Sequence, residues 1–285
     1  MDTAKIAAPI SGDKLYQTRA RAVLPILVRQ AEAGTPIVYS ALAEEVGIPN
    51  PRNLNFVLGS IGTTLENLSK AWKQKIPPIQ CLVVNKSTGL PGEGIGWFLV
   101  KKEAFSSLSR RQQRAIVEAE LQHVYAYKRW REVLSVLSLA PTEVDFSVQL
   151  KKAAAFGGGG ESDTHRRLKE YVAKNPSIVG LPTGTPTGVT EFALASGDAA
   201  DIHFQDKKDW VAVEVKSAIS NHADITRGLF QCVKYKAVLE AMQLSSGLPQ
   251  NARAILALES ELPSRLIPLK NVLGIEVVES VRENG

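Results

Sequence analysis

The chain has 285 residues, with 34 Lys+Arg against 29 Asp+Glu and a formal net charge of +5. That length suits two domains, and no apolar run approaches the roughly 18 residues that would span a bilayer. The N-terminal MDTAKIAAPISGDK lacks the apolar core of a secretory signal, so the expectation is a cytoplasmic protein with no membrane partner. The two cysteines, Cys81 and Cys232, are far apart and indicate neither a disulfide framework nor a zinc site. Charge is unevenly placed. Residues 161–285 carry 14 Lys+Arg and 16 Asp+Glu, leaving 20 and 13 for residues 1–160. A basic half joined to a mildly acidic one fits a polyanion-binding module attached to a carboxylate-bearing site.

Apolar residues at helical spacing run from Lys14 to Ala33 and are broken by GTP. YSALAEEVGIP reads as a short helix, and NPRNLNFVLGSIGTTLENLSKAW as a further helix or helix pair. IPPIQCLVVNKSTGLPGEGIGWFLV reads as two short strands around a glycine-rich turn, with Cys81 on a buried strand. A long basic and aromatic helix is expected over 103–140, containing SRRQQR and YAYKRWR. Residues 141–160 read as a flexible linker, because Gly157 to Gly160 are held cheaply neither in helix nor in strand. After it come a helix near 162–174, strands at VTEFALA, ADIHFQ and WVAVEVKS, and a helix over about 224–244. A strand at ARAILAL, a helix around LPSRLIPLKNVL and a strand at IEVVE complete the order. This is an α/β domain over 161–285 with a mixed sheet, following a mainly helical domain over 1–102.

The hairpin between the second and third of those strands carries the chemistry. A turn centred between Lys207 and Lys208 sets Asp201 opposite Glu214, and such partners share a face with Cβ atoms about 5 Å apart. Period-2 alternation puts Ile202, Phe204, Val211, Val213 and Val215 on one face. Asp201, His203, Glu214 and Lys216 fall on the other. Two opposed carboxylates repel unless a cation lies between them. Mg²⁺ (or Mn²⁺) suits Asp201 and Glu214, with the Val215 carbonyl as a further donor and Lys216 placed to orient water or offset phosphate charge.

These residues resemble the PD-(D/E)xK nuclease superfamily: an acid on a first helix, Asp on the second strand, E-x-K on the third, and a helix with Q-x-x-x-Y. The corresponding residues are Glu170, Asp201, Glu214 with Lys216, and Gln231 with Tyr235. The last motif is similar to the RecB-like and mismatch-endonuclease branches. The resemblance implies a restriction-endonuclease-like domain and metal-dependent hydrolysis of DNA phosphodiester bonds. Asp201 and Glu214 would bind metal with help from Glu170, for which Glu191 is a competitor. Lys216 would assist the attacking water, Gln231 would orient Lys216 or contact phosphate, and Tyr235 would lie on the nucleic-acid side. His165 and His203 are candidates for positioning water or phosphate.

Residues 34–98 resemble the winged-helix domain of alkylguanine alkyltransferases and alkyltransferase-like proteins. VYSALAEEVGIPNPRNLNFVLGSI and the Gly-rich run after IPP carry the likeness. The Pro-Cys-His-Arg tetrad of the transfer reaction is missing, since Cys81 stands in IQCLVV. The resemblance therefore implies duplex-DNA binding, through Arg52, Asn53 and Asn55, without alkyl transfer. The combined expectation is a Mg²⁺-dependent DNA endonuclease acting in defence or repair, with double-stranded DNA as partner and the 103–140 helix as a candidate homodimer seam. The alternative is a non-catalytic DNA-binding or regulatory protein on a nuclease-like scaffold.

Overall fold

Leu15–Ala33 form helix α1, which ends where Gly34 takes a left-handed φ of +68°, a conformation that costs glycine little. The computed structural model describes residues 7–99, 105–142, 146–155, 162–206 and 209–282. The chain divides into two compact units, Met1–Glu143 and Val144–Gly285, and mixes helices with a five-stranded sheet.

In the first unit, α1 packs with α2 (Tyr39–Glu45) and α3 (Leu54–Trp72) around Leu24, Leu27, Leu42, Leu54 and Ile61. A single 3-10 turn, Pro51–Asn53, leads into α3, capped by the Asn50 side chain accepting from the Arg52 amide at 3.0 Å. Two strands, β1 (Ile37–Val38) and β2 (Val83–Val84), pair in parallel. Among the described residues no strand forms after the glycine-rich turn: Glu93–Ile95 is a 3-10 turn and Gly96–Leu99 is helix α4. Glycine supplies no alternating side chains to hold a sheet face there. Cys81 lies in a 3-10 turn, Ile79–Leu82, rather than on a strand, but it is fully buried.

The helix expected over 103–140 is two helices, α5 (Arg110–Ala126) and α6 (Trp130–Val136). The break has a local cause. Trp130 turns inward, its indole N–H donating to the Val124 carbonyl at 2.9 Å, and its ring meets Tyr127 edge-on at 4.8 Å. That carbonyl lies in the last turn of α5, where its backbone donor at the helix end is the Tyr127 amide, at a long 3.4 Å. Part of the expected linker is also helical, as Ser147–Ala155 form α7. Gly157 to Gly160 lie outside the described residues.

The second unit follows the expected order. Helix α8 (Asp163–Lys174) is capped by Ser162, whose side chain accepts from the His165 amide. Strands β3 (Val189–Ala193), β4 (Ala199–Asp206), β5 (Asp209–Lys216), β6 (Arg253–Leu258) and β7 (Glu276–Val278) lie in that spatial order. The first three are antiparallel neighbours, and β5, β6 and β7 run parallel. Helices α9 (His222–Ser245) and α10 (Ile267–Leu273) complete the unit. One sheet face meets α8 through Ile202, Phe204, Val211, Val213 and Val215 with Leu168 and Val172, as the alternation predicts. The opposite face meets α9 through Ala212, Leu256 and Leu258 with Leu229, Cys232 and Tyr235. Glu214 and Lys216 lie on this second face, buried under a helix.

Candidate active site

The β4–β5 hairpin has the register predicted from its turn: Asp206 opposes Asp209, Phe204 opposes Val211 and Ile202 opposes Val213. Beyond Ile202 the backbone ladder stops, although both strands continue. There the Val215 amide donates to the Asp201 side chain, Oδ2, at 2.8 Å. A carboxylate thus takes the place of a backbone acceptor at the point where the strands part. The next strand is irregular at the same level. Glu191 on β3, which stands opposite Asp201 in the register, has a left-handed φ of +51°. A non-glycine residue held there carries backbone strain, a feature that clusters at functional sites.

Glu214 is 2% exposed. Its Oε1 lies 2.8 Å from Lys216 Nζ, and its Oε2 lies 2.9 Å from the Tyr235 hydroxyl. Burial pushes its carboxyl up to about 7, and the nearby Asp201 charge adds to the effect, while Lys216 and Tyr235 pull the other way. Tyr235 has one hydroxyl proton and two acceptors, Glu214 and the Ala199 carbonyl at 3.0 Å. When Glu214 is protonated it becomes the donor to Tyr235, and both contacts are satisfied together.

Lys216 Nζ has a second carboxylate, Asp224 Oδ1, at 3.0 Å. Burial works to lower the Lys216 pKa, but Glu214 and Asp224 together outweigh it and the ammonium is held above its usual range. Lysine and glutamate respond differently because, among the described residues, the lysine has two acids and the glutamate one cation. Burial likewise opposes Asp201's charge. His165, the Val215 amide and Lys216 overcome it, leaving Asp201 below its usual range. His165 Nε2 is 3.6 Å from Asp201 Oδ2, and that contact raises the histidine.

Helix α9 reaches this cluster because Gly228 faces it. A Cβ there would lie 2.9 Å from Leu256 Cδ1, 3.1 Å from Lys216 Cε and 3.6 Å from Glu214 Cγ. Asn221 caps the helix by accepting from the amides of Ala223 and Asp224, which fixes the turn that carries Asp224.

The structure therefore brings Asp201, Glu214, Lys216 and Tyr235 together, with His165 and Asp224 beside them. Several of the predicted residues stand elsewhere than expected. Glu170 is exposed on α8, 3.7 Å from Lys174, on the side away from the helix's buried face of Leu168, Lys169 and Val172. Its competitor Glu191 is ion-paired with Lys169. Neither joins Asp201. Tyr235 is 3% exposed and points inward at Glu214, so its hydroxyl is closed to nucleic acid. Gln231 donates to the Tyr235 hydroxyl at 3.3 Å, not to Lys216, and its Oε1 is buried with no hydrogen-bond partner among the described residues. Val215 contributes its amide to Asp201. His203 is a core residue, stacked on Phe192 at 4.0 Å and kept neutral as burial lowers it to about 4. Asp224 is the residue that sequence reasoning missed.

Among the described residues no group of three or more His, Cys, Asp or Glu side chains is placed to hold a metal ion. The donors gathered there are Asp201, Glu214 and Asp224 with His165, and the two oxygens of Glu214 are taken by Lys216 and Tyr235. Three acids face one ammonium, and burial, with the Asp201 charge adding to it, pushes the most buried of them, Glu214, toward neutrality. Mg²⁺ commonly rests on one or two carboxylates and keeps several waters, and Asp201 with Glu214 supply two. In the first unit, Arg52, Asn53 and Asn55 are all exposed where the 3-10 turn enters α3. Burial pushes the Cys81 thiol up, well away from a reactive thiolate. No described helix is long and apolar enough to cross a membrane. Comparison with family models, curated proteins and solved structures finds no match for this chain.

Proposed function

We propose that the chain is a metal-dependent DNA endonuclease whose second unit is a restriction-endonuclease-like domain and whose first unit is a winged-helix-like duplex-binding module. The carrying observation is the placement of Asp201 where β4 and β5 part, interacting with buried Glu214 one strand over, with Lys216 on the same strand as Glu214. A Mg²⁺ or Mn²⁺ ion held by Asp201 and Glu214 would supply Lewis-acid charge neutralisation and a more acidic bound water. In this reading Lys216 orients the attacking water and offsets negative charge that grows on the phosphate. Tyr235 holds the Glu214 carboxyl in place, and the Val215 amide does the same for Asp201. Incubation with plasmid and linear duplex should give cleavage with Mg²⁺ or Mn²⁺ and none with EDTA. Intact DNA under every metal condition would remove the enzyme reading.

The binding role rests on the exposed Arg52, Asn53 and Asn55 and on the basic balance of residues 1–160. If Arg52 meets a phosphate, Arg52→Ala should weaken duplex binding across all sequences and reduce the salt slope by about one. An unchanged slope in titrations at several salt concentrations would take Arg52 out of the interface. One observation favours the second reading, a non-catalytic DNA-binding scaffold: Lys216 is engaged by both Glu214 and Asp224. The EDTA comparison separates the two, since a scaffold binds duplex without cutting it.

A further inference from the structure

Lys216 Nζ stands between two carboxylates, 2.8 Å from Glu214 Oε1 and 3.0 Å from Asp224 Oδ1. Glu214 is also an acid expected to hold a cation, so ammonium and metal compete for one carboxylate, whose Oε1 the ammonium holds and whose Oε2 the Tyr235 hydroxyl holds. With no second anion, a cation arriving at Glu214 would drive Lys216 out of the site, removing the group needed beside the phosphate. We propose that Asp224 is a positioning residue, a holding point to which Lys216 shifts when a divalent cation takes Glu214, so that both positive charges occupy the site together. This deepens the nuclease reading and rests on it.

The surroundings suit the role. Asp224 is set in the first turn of α9 by the Asn221 cap. Gly228, one turn further on, lets that helix close over the Lys216 stem. Lys216 is 7% exposed, so an ammonium displaced from Glu214 has little water to receive it. The charged and titratable groups facing Lys216 among the described residues are Glu214 from β5 itself, Asp224 and the Cys232 thiol from α9, Asp201 from β4 and His165 from α8. Of the three acids, Asp224 and Glu214 alone touch the ammonium, and Asp201 is already bound to the Val215 amide.

The test reads metal binding rather than cleavage. Mn²⁺ affinity is measured on the full chain by calorimetry, for the parent, Asp224→Asn, Lys216→Met and the double variant. Asp224→Asn should weaken Mn²⁺ about tenfold, within the range seen when an outer-shell partner is lost, because Lys216 then has only Glu214 to hold. In the Lys216→Met background the same change should cost nothing. Asp224→Glu should keep near-parent affinity, and also serves if the asparagine variant folds poorly. An unaltered affinity in Asp224→Asn overturns the proposal. So does an equal loss with and without Lys216, which would make Asp224 a direct ligand or a mere field effect. A parent that binds no Mn²⁺ overturns the metal reading as well, whereas Mn²⁺ binding without Asp224–Lys216 coupling overturns the holding point alone.

Discussion

Lys216→Ala should lower the rate of duplex cleavage on the order of 10²–10³-fold, with little change in duplex affinity. Among the described residues the ammonium is the one cation in contact with buried Glu214, and its role in the proposed reaction is to meet charge that appears only as the phosphate reacts. Losing such a group removes transition-state stabilisation and leaves ground-state binding alone, so single-turnover rates fall while the binding isotherm holds. Asp201→Asn should be at least as damaging. It removes a charge from the cation site and weakens the acceptor that holds the Val215 amide at 2.8 Å. Lys216→Arg tests the chemistry further: the planar guanidinium is wider than an ammonium and does not replace it in a 2.8 Å and 3.0 Å bridge. Cleavage by Lys216→Ala at the parent rate would sink the site assignment whatever happened to binding.

The hairpin that places these groups was legible because its determinants are local. A short polar turn sets the register, alternation sets the faces, and both agree with the observed pairing of Ile202 with Val213. The Gln231–Tyr235 pair was legible as one helical face meeting the sheet near the site, where Tyr235 reaches Glu214 and Gln231 reaches Tyr235. Glu170 was misplaced by motif position, yet the sequence held the means to place it. At about 100° per residue, Glu170 lies roughly 200° from both Leu168 and Val172, the residues that α8 buries. His165 lies about 60° from Leu168 on the same wheel, and it is the α8 residue that reaches Asp201. Asp224 was illegible for another reason. It is joined to Lys216 by the path of the loop after β5, and neither strand nor helix period predicts that path. The only local sign was Asn221, a capping residue followed three positions later by an acid. The wing failed similarly, since a glycine-rich run has no pattern from which to read strand or helix.

Without divalent cation, the protein should lose stability as pH rises from about 5 to 8, and divalent cation should restore most of it at the upper end. Glu214's folded-state pKa is about 7, raised above the unfolded value near 4.3. The folded state therefore binds this proton more tightly than the unfolded state. The resulting stability is fully present below the unfolded pKa and is lost as pH climbs through the folded one. A shift of that size corresponds to about 4 kcal/mol in full, of which roughly 3 kcal/mol is lost between pH 5 and 8, or about 5–10 °C in melting temperature for a unit of this length. His165, also raised, acts in the same direction from its own ordinary pKa upward. Asp201, held low, loses its contribution only in more acidic solution, and Lys216, held high, only in more alkaline solution. Melting curves at pH 5 and 8, with EDTA and with saturating Mg²⁺, should show a cation-induced rise that is much larger at pH 8. At pH 5 the proton already neutralises Glu214 and competes with the ion. Glu214→Gln carries no titrating charge, so it should flatten most of the pH dependence in EDTA and abolish the extra rise with Mg²⁺. If Glu214→Gln melted with the parent's pH slope, the buried carboxyl would not be the group that waits for a cation.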